Sequence, residues 1–256
     1  MAYLEARNIT IQFGGLTAVD HMNFKVEEGQ VVSIIGPNGA GKTTIFNLLT
    51  GIYKPSEGEI YFDDKRIDGL LPQKIVSAGL ARTFQNIRLF FDMRVIENVL
   101  IGTHISIKYH FFDRLLYTKR YRKDEGEKIR YAAKLLKEVG LENRLHDYAD
   151  NLPYGEQRKL EIARAIATGA KLLLLDEPAA GMNPQESEEL RQFILQLKKQ
   201  GYTILLIEHD MNVVMKLSDY IYVVDYGKKI AEGLPQEIQS NKQVAVAYLG
   251  ESEDDE

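Results

Sequence analysis

The residues Gly36 to Thr44 read G-P-N-G-A-G-K-T-T, directly behind the apolar run Val31, Val32, Ser33, Ile34, Ile35. This is the P-loop pattern, a glycine loop between a strand and a helix. Gly36 and Gly41 allow backbone angles and close approaches that a Cβ would hinder, so the loop Gly36, Pro37, Asn38, Gly39, Ala40 and Gly41 can curl its amides around a phosphate. The helix expected from about Gly41 points its positive end at the same place. Lys42 would reach the β- and γ-phosphates, the Thr43 hydroxyl would complete the shell of a Mg²⁺ ion, and Thr44 closes the motif. A second cluster follows at Lys171 to Pro178, K-L-L-L-L-D-E-P. Its apolar run ends in two carboxylates: Asp176 can hold Mg²⁺ directly or through water, and Glu177 can take a proton from an attacking water.

The elements that must position these groups are legible around them. Residues 3–13 and Ala18 to Val26 carry partial alternation typical of half-buried strands, with Gly14-Gly15 between them. Phe13, at the rim of that turn, could stack on an adenine base or be an ordinary strand residue. A strand pair is expected around Glu59 to Phe62, and a helix opened by Pro72. Asn183 and Pro184 start a helix running to about Lys199, with Glu186 placed for a reciprocal cap. Thr203 to Ile207 is the next buried strand; a lone histidine after a strand is usually structural, but His209 leaves at the edge where Asp176 and Glu177 emerge, where a ring nitrogen could contact a γ-phosphate. Tyr220 to Val224 and Lys229 to Ala231 read as a hairpin across Tyr226-Gly227.

From Val95 to Gly140 the pattern turns helical, with Ile129, Ala132, Leu136 and Val139 at helical spacing. Between Lys108 and Lys123 stand six basic residues and five aromatics against one acid. Such a stretch can bind nucleic acid or lipid headgroups, or form a solvated hairpin packed on its own core. The chain of 256 residues contains no cysteine, which excludes disulfides and Cys-based chemistry and fits a reducing cytoplasm. A net charge of −5 gives no general attraction to nucleic acid, and the stretch Met1 to Arg7 lacks the layout of a signal peptide. The longest aliphatic runs are far too short to span a bilayer, so any membrane role goes through a partner.

Taken in order, these motifs resemble the ATP-binding subunit of ABC transporters over nearly the whole chain. The matching positions are an aromatic A-loop residue at Phe13, Walker A at Gly36 to Thr43, Q-loop Gln85, signature at Leu152 to Gln157, Walker B with Asp176 and Glu177, a D-loop around Ala180 to Asn183, and H-loop His209. The segment L-P-Y-G-E-Q-R-K-L-E-I-A-R-A, the basic-aromatic stretch near 104–125 and the Ala247-Tyr248-Leu249-Gly250 ending look most like the ATPase of branched-chain amino-acid importers. The resemblance implies an α/β fold: a P-loop NTPase (RecA-like) core, residues 1–87 and 158–256, with an N-terminal antiparallel β subdomain, an inserted α-helical subdomain at 88–157, and an acidic tail at 251–256. It also implies ATP and Mg²⁺ as ligands, Lys42, Gln85, Glu177 and His209 as catalytic residues, and Thr43, Gln85 and Asp176 around the metal.

By the same resemblance, Tyr154, Gly155 and Glu156 face the nucleotide of an opposite subunit in a head-to-tail homodimer or a heterodimer with a paralogue. The expected partners are membrane permease subunits and, indirectly, a solute-binding protein; no nucleic acid is expected. The expected location is peripheral, on the cytoplasmic face of the cell membrane. An ATPase of lipopolysaccharide export is the alternative; a non-transport ABC protein fits less well. One departure matters: the family's L-S-G-G-Q here has Pro153 for serine, Tyr154 for the first glycine and Glu156 for glutamine. Proline has neither hydroxyl nor N–H to offer a γ-phosphate.

Overall fold

Three five-residue runs, Val31–Ile35, Leu172–Asp176 and Thr203–Ile207, are buried at every position, as expected of parallel strands covered on both faces. The computed structural model describes residues 2–106 and 118–249. In chain order the strands are β1 (Leu4–Phe13), β2 (Leu16–Val26), β3 (Val31–Ile35), β4 (Glu57–Phe62), β5 (Lys65–Arg66), β6 (Leu80–Arg82), β7 (Leu172–Asp176), β8 (Thr203–Ile207), β9 (Tyr220–Asp225) and β10 (Lys228–Gly233). The chain divides into two compact units, Met1–Arg82 with Lys171–Glu256, and Thr83–Ala170.

The first unit holds both sheets. One is antiparallel, in the order β2-β1-β4-β5. The other has the order β10-β9-β3-β8-β7-β6, parallel throughout except for the edge hairpin strand β10. Because β3, β7 and β8 run parallel and lie side by side, their C-terminal ends open on one edge of the sheet, where ligands of open α/β sheets bind. Helix α1 (Lys42–Leu49) packs Ile45, Phe46 and Leu49 into a core shared with Met22, Ile60, Leu174 and Leu205. The four leucines of β7, each fully buried, contribute about 2 kcal/mol apiece. A second cluster joins Ile35, Ile221 and Val223 to Val214, Ile238 and Val244. The helix Pro184–Lys199 starts as its sequence implies: the Asn183 side chain accepts from the Gln185 and Glu186 amides, and Glu186 accepts from the Asn183 amide.

The second unit is helical, built on Val95–Thr103, Lys119–Glu138 and Tyr154–Ala167. Gly102 lets the first and last of these approach closely, since a Cβ there would stand 2.5 Å from the Arg164 carbonyl oxygen. On the helix Lys119–Glu138 the buried stripe is Ala132, Leu135 and Leu136, continued by Val139 beyond the helix end. Ile129, expected on that stripe, is 47% exposed. At 3.6 residues per turn Lys128 falls nearer the stripe's centre than Ile129 does, and its ammonium is buried against Asp124 at 2.8 Å. Of the basic-aromatic stretch, residues 107–117 lie outside the described residues, as do Gly250 of the C-terminal motif and the acidic tail 251–256. Among the described residues no helix is long and apolar enough to cross a membrane.

Candidate active site

At the end of β3 the chain enters the glycine loop, and α1 begins at Lys42 with Gly41 as its N-cap in a left-handed conformation, φ 99°. A Cβ on Gly36 would lie 2.0 Å from the Val224 carbonyl oxygen, and one on Gly41 2.5 Å from that of Ala18. No other residue fits either place. The back of the loop is pinned to the β9–β10 turn, where the Gly227 amide donates to the Ala40 carbonyl at 3.0 Å. Asn38 and Gly39 are exposed at the loop's mouth and Pro37 is half-buried.

Lys42 folds back over this loop, its ammonium donating to the carbonyls of Gly36 at 2.7 Å and Pro37 at 2.8 Å. Burial pushes its pKa down, and the charges of Glu177 and Asp176 pull it back up. Lysine and both carboxylates therefore share one electrostatic field, and a phosphate entering the loop would relieve the desolvated cation. Thr43 is exposed and Thr44 half-buried on the first turn of α1.

Asp176 ends β7 nearly buried, with one carboxylate oxygen accepting from the Arg82 guanidinium at 2.6 Å. Arg82 also donates to the Asn47 side chain at 2.7 Å. Nothing in the linear sequence marks Arg82 for this place. It becomes a neighbour only because β6 pairs with β7, setting Arg82 opposite Leu174. The second carboxylate oxygen of Asp176 and the exposed hydroxyl of Thr43 are hard oxygen donors of the type Mg²⁺ takes, so these residues fit the ion.

Glu177 stands one residue beyond the strand with φ 44°, a left-handed conformation costing about 1–2 kcal/mol for a residue with a side chain. Hydrogen bonds hold it there: its amide donates to the Ile207 carbonyl at 2.9 Å, and the Ala180 amide to the Glu177 carbonyl at 3.1 Å. Strain held by surrounding structure is found at functional sites. The His209 ring lies beside it, Nδ1 to Glu177 Oε2 at 3.7 Å. The structure thus brings Lys42, Asp176, Glu177 and His209 to one sheet edge. Phe13, 44% exposed, sets its ring edge-to-face on Tyr53 at 5.1 Å.

Gln85, Tyr154, Gly155 and Glu156 belong to the helical unit. Gln85 is exposed, but its carbonyl accepts from Arg158 at 2.8 Å. Arg158, with no solvent exposure, also donates to the Phe84 carbonyl at 2.7 Å, to Glu161 at 2.8 Å and to the Tyr154 hydroxyl at 3.2 Å. Glu156 pairs with Arg144 at 3.4 Å. Pro153 is the N-cap of the helix Tyr154–Ala167 and offers its amides no side-chain acceptor. In the linear sequence Arg158 is one more arginine on a charged helix and carries no signal of burial.

The family model of ABC transporters matches residues 19–180, and that of branched-chain amino acid ATP-binding cassette transporters matches residues 228–254. The high-affinity branched-chain amino acid transport ATP-binding protein BraF of Pseudomonas aeruginosa is 49% identical over 250 residues, covering 97% of this chain and 98% of BraF. The ADP conformation of an ATP-binding cassette of an ABC transporter superposes with a TM-score of 0.86 at 36% identity, covering 98% of this chain and 100% of that one. A dimeric post-hydrolysis cassette bound to ADP and Pi gives a TM-score of 0.74 at 25% identity, covering 91% of this chain and 98% of that one. With a family model matching residues 19–180 and a relative 49% identical along 97% of the chain, the chain belongs to the ABC transporter family and is one of its ATPases.

Proposed function

We propose that this ATPase powers the uptake of branched-chain or related amino acids through an ABC importer. The observation that carries the reading is the likeness, along nearly the whole of both chains, to a branched-chain amino acid transport ATP-binding protein. It rests further on the matching C-terminal segment 228–254. The chain would sit on the cytoplasmic face of the membrane, paired with a second copy or a paralogue, as in the dimeric cassette above, and docked on permease subunits.

In this reading the loop Gly36–Gly41 and the N-terminus of α1 cradle the phosphates of ATP, and Phe13 receives the adenine base. Lys42 leaves the Gly36 and Pro37 carbonyls for the β- and γ-phosphate oxygens, exchanging two neutral acceptors for a charged one. Thr43 and Asp176 would hold Mg²⁺, which when bound neutralises charge on the β- and γ-phosphates. Glu177 accepts the proton of the attacking water, and His209, beside it, donates to the γ-phosphate. Gln85, anchored through its backbone to Arg158, reports the nucleotide's state to the permease side. In the dimer, Tyr154, Gly155 and Glu156 of each chain face the other chain's ATP.

The test is to purify the tagged chain from its native membranes in mild detergent and identify what accompanies it. Two multi-spanning permeases with a solute-binding protein retaining leucine, isoleucine or valine are expected. Lipid-export subunits in their place would overturn the reading. The signature departure makes its own prediction. Pro153→Ser supplies the missing N-cap acceptor, stabilising the helix Tyr154–Ala167 by about 1 kcal/mol, and adds a hydroxyl for the opposite γ-phosphate. The ATP concentration needed for dimerisation, followed by size-exclusion chromatography with Glu177→Gln present to slow turnover, should fall. No change would show that the proline does not weaken the sandwich.

A further inference from the structure

Glu208 has no part in the mechanism above, yet its side chain is buried and stands between two of the groups that do. It follows β8 directly, and each of its carboxylate oxygens has a different backbone donor. Oε1 accepts from the Ala179 amide at 2.8 Å, Oε2 from the His209 amide at 3.1 Å, and the Asp210 amide points the same way. Among the described residues its ion-pair neighbour is the His209 ring, 4.0 Å from Oε2.

We propose that Glu208 is a positioning residue for hydrolysis, a tie between the turn that carries Glu177 and the loop that carries His209. Ala179 lies two residues beyond Glu177, whose backbone is held at φ 44°. The bond to Glu208 pins the far side of that strained turn, and the other carboxylate oxygen pins the start of the His209 loop. The two groups thereby keep a constant separation across the ends of β7 and β8. The chemistry of the tie requires a carboxylate. Both neighbours are N–H donors, and only a carboxylate presents an acceptor on each side; an amide would turn its NH₂ toward one of them. Burial raises the carboxyl pKa, and the amides oppose that rise by favouring the ionised form.

The inference rests on the roles given to Glu177 and His209, so Glu177→Gln serves as the control. In Glu208→Gln, assayed on the full-length chain, kcat should fall at least ~10-fold while the Kd for a fluorescent ATP analogue stays within about twofold, the pattern of a misplaced reacting group. Glu208→Asp keeps two acceptors on a shorter stem, so it should fold and lose an intermediate share of kcat; it decides the matter where Glu208→Gln does not fold. A kcat within twofold of wild type in the folded variant, or kcat and affinity falling together, would overturn the proposal. Were Glu177→Gln itself unimpaired, the reading of the site would fail first.

Discussion

Replacing Glu177 by glutamine should leave ATP binding close to wild type and lower turnover by at least ~100-fold, the usual worth of a general base. The two side chains have the same shape, so the strained backbone at φ 44° and its bonds to Ile207 and Ala180 can persist. What disappears is the oxygen able to take a proton from water next to the His209 ring. Lys42 also loses one of the two negative charges that oppose its desolvation, which makes an incoming phosphate, if anything, a better partner. The measurement is phosphate release under saturating ATP beside equilibrium binding of a fluorescent analogue. Turnover within a few-fold of wild type would remove Glu177 from the role of base.

Arg158→Met should destabilise the helical unit by about 3–5 kcal/mol, because it leaves a buried carboxylate without its counter-ion. Glu161 is 2% exposed, and the carbonyls of Phe84 and Gln85 lose their donors in the same step. The double variant Arg158→Met with Glu161→Gln should recover a large part of the loss. Glutamine removes the charge and keeps an oxygen for the Arg88 amide, which Glu161 accepts at 3.2 Å. Urea unfolding of the single and double variants checks both. A double variant no more stable than the single one would mean that the carbonyls, not the ion pair, carry the cost.

The features legible in the linear chain are those whose physics is local. A glycine loop between a five-residue apolar run and a helix can be recognised without knowing what surrounds it, and so can an aliphatic strand ending in two acids or an Asn-Pro helix start with a glutamate three residues on. That is why Lys42, Asp176, Glu177 and the capped helix at Pro184 could be placed by reading alone. His209 is a lone histidine, and only the order of motifs around it gives it meaning. Ile129 fits the helical period yet is exposed, because an apolar residue on the flank of a stripe satisfies the period almost as well as one at its centre.

The partners of these groups are set by the packing of the sheet. Strand order brings β6 against β7 and so Arg82 onto Asp176, 94 residues apart in the chain. The same order sets β8 beside β7, and a glutamate that reads as an ordinary acid before His209 becomes a buried tie to Ala179, 29 residues away. Hydrogen bonds between distant residues leave no periodicity and no composition in the sequence, because each depends on a register that the whole sheet sets together. The chemistry was written locally, in residue types and spacings; its alignment comes from burial, which sets the Asp176 carboxylate on Arg82 and the Glu208 carboxylate on the Ala179 and His209 amides.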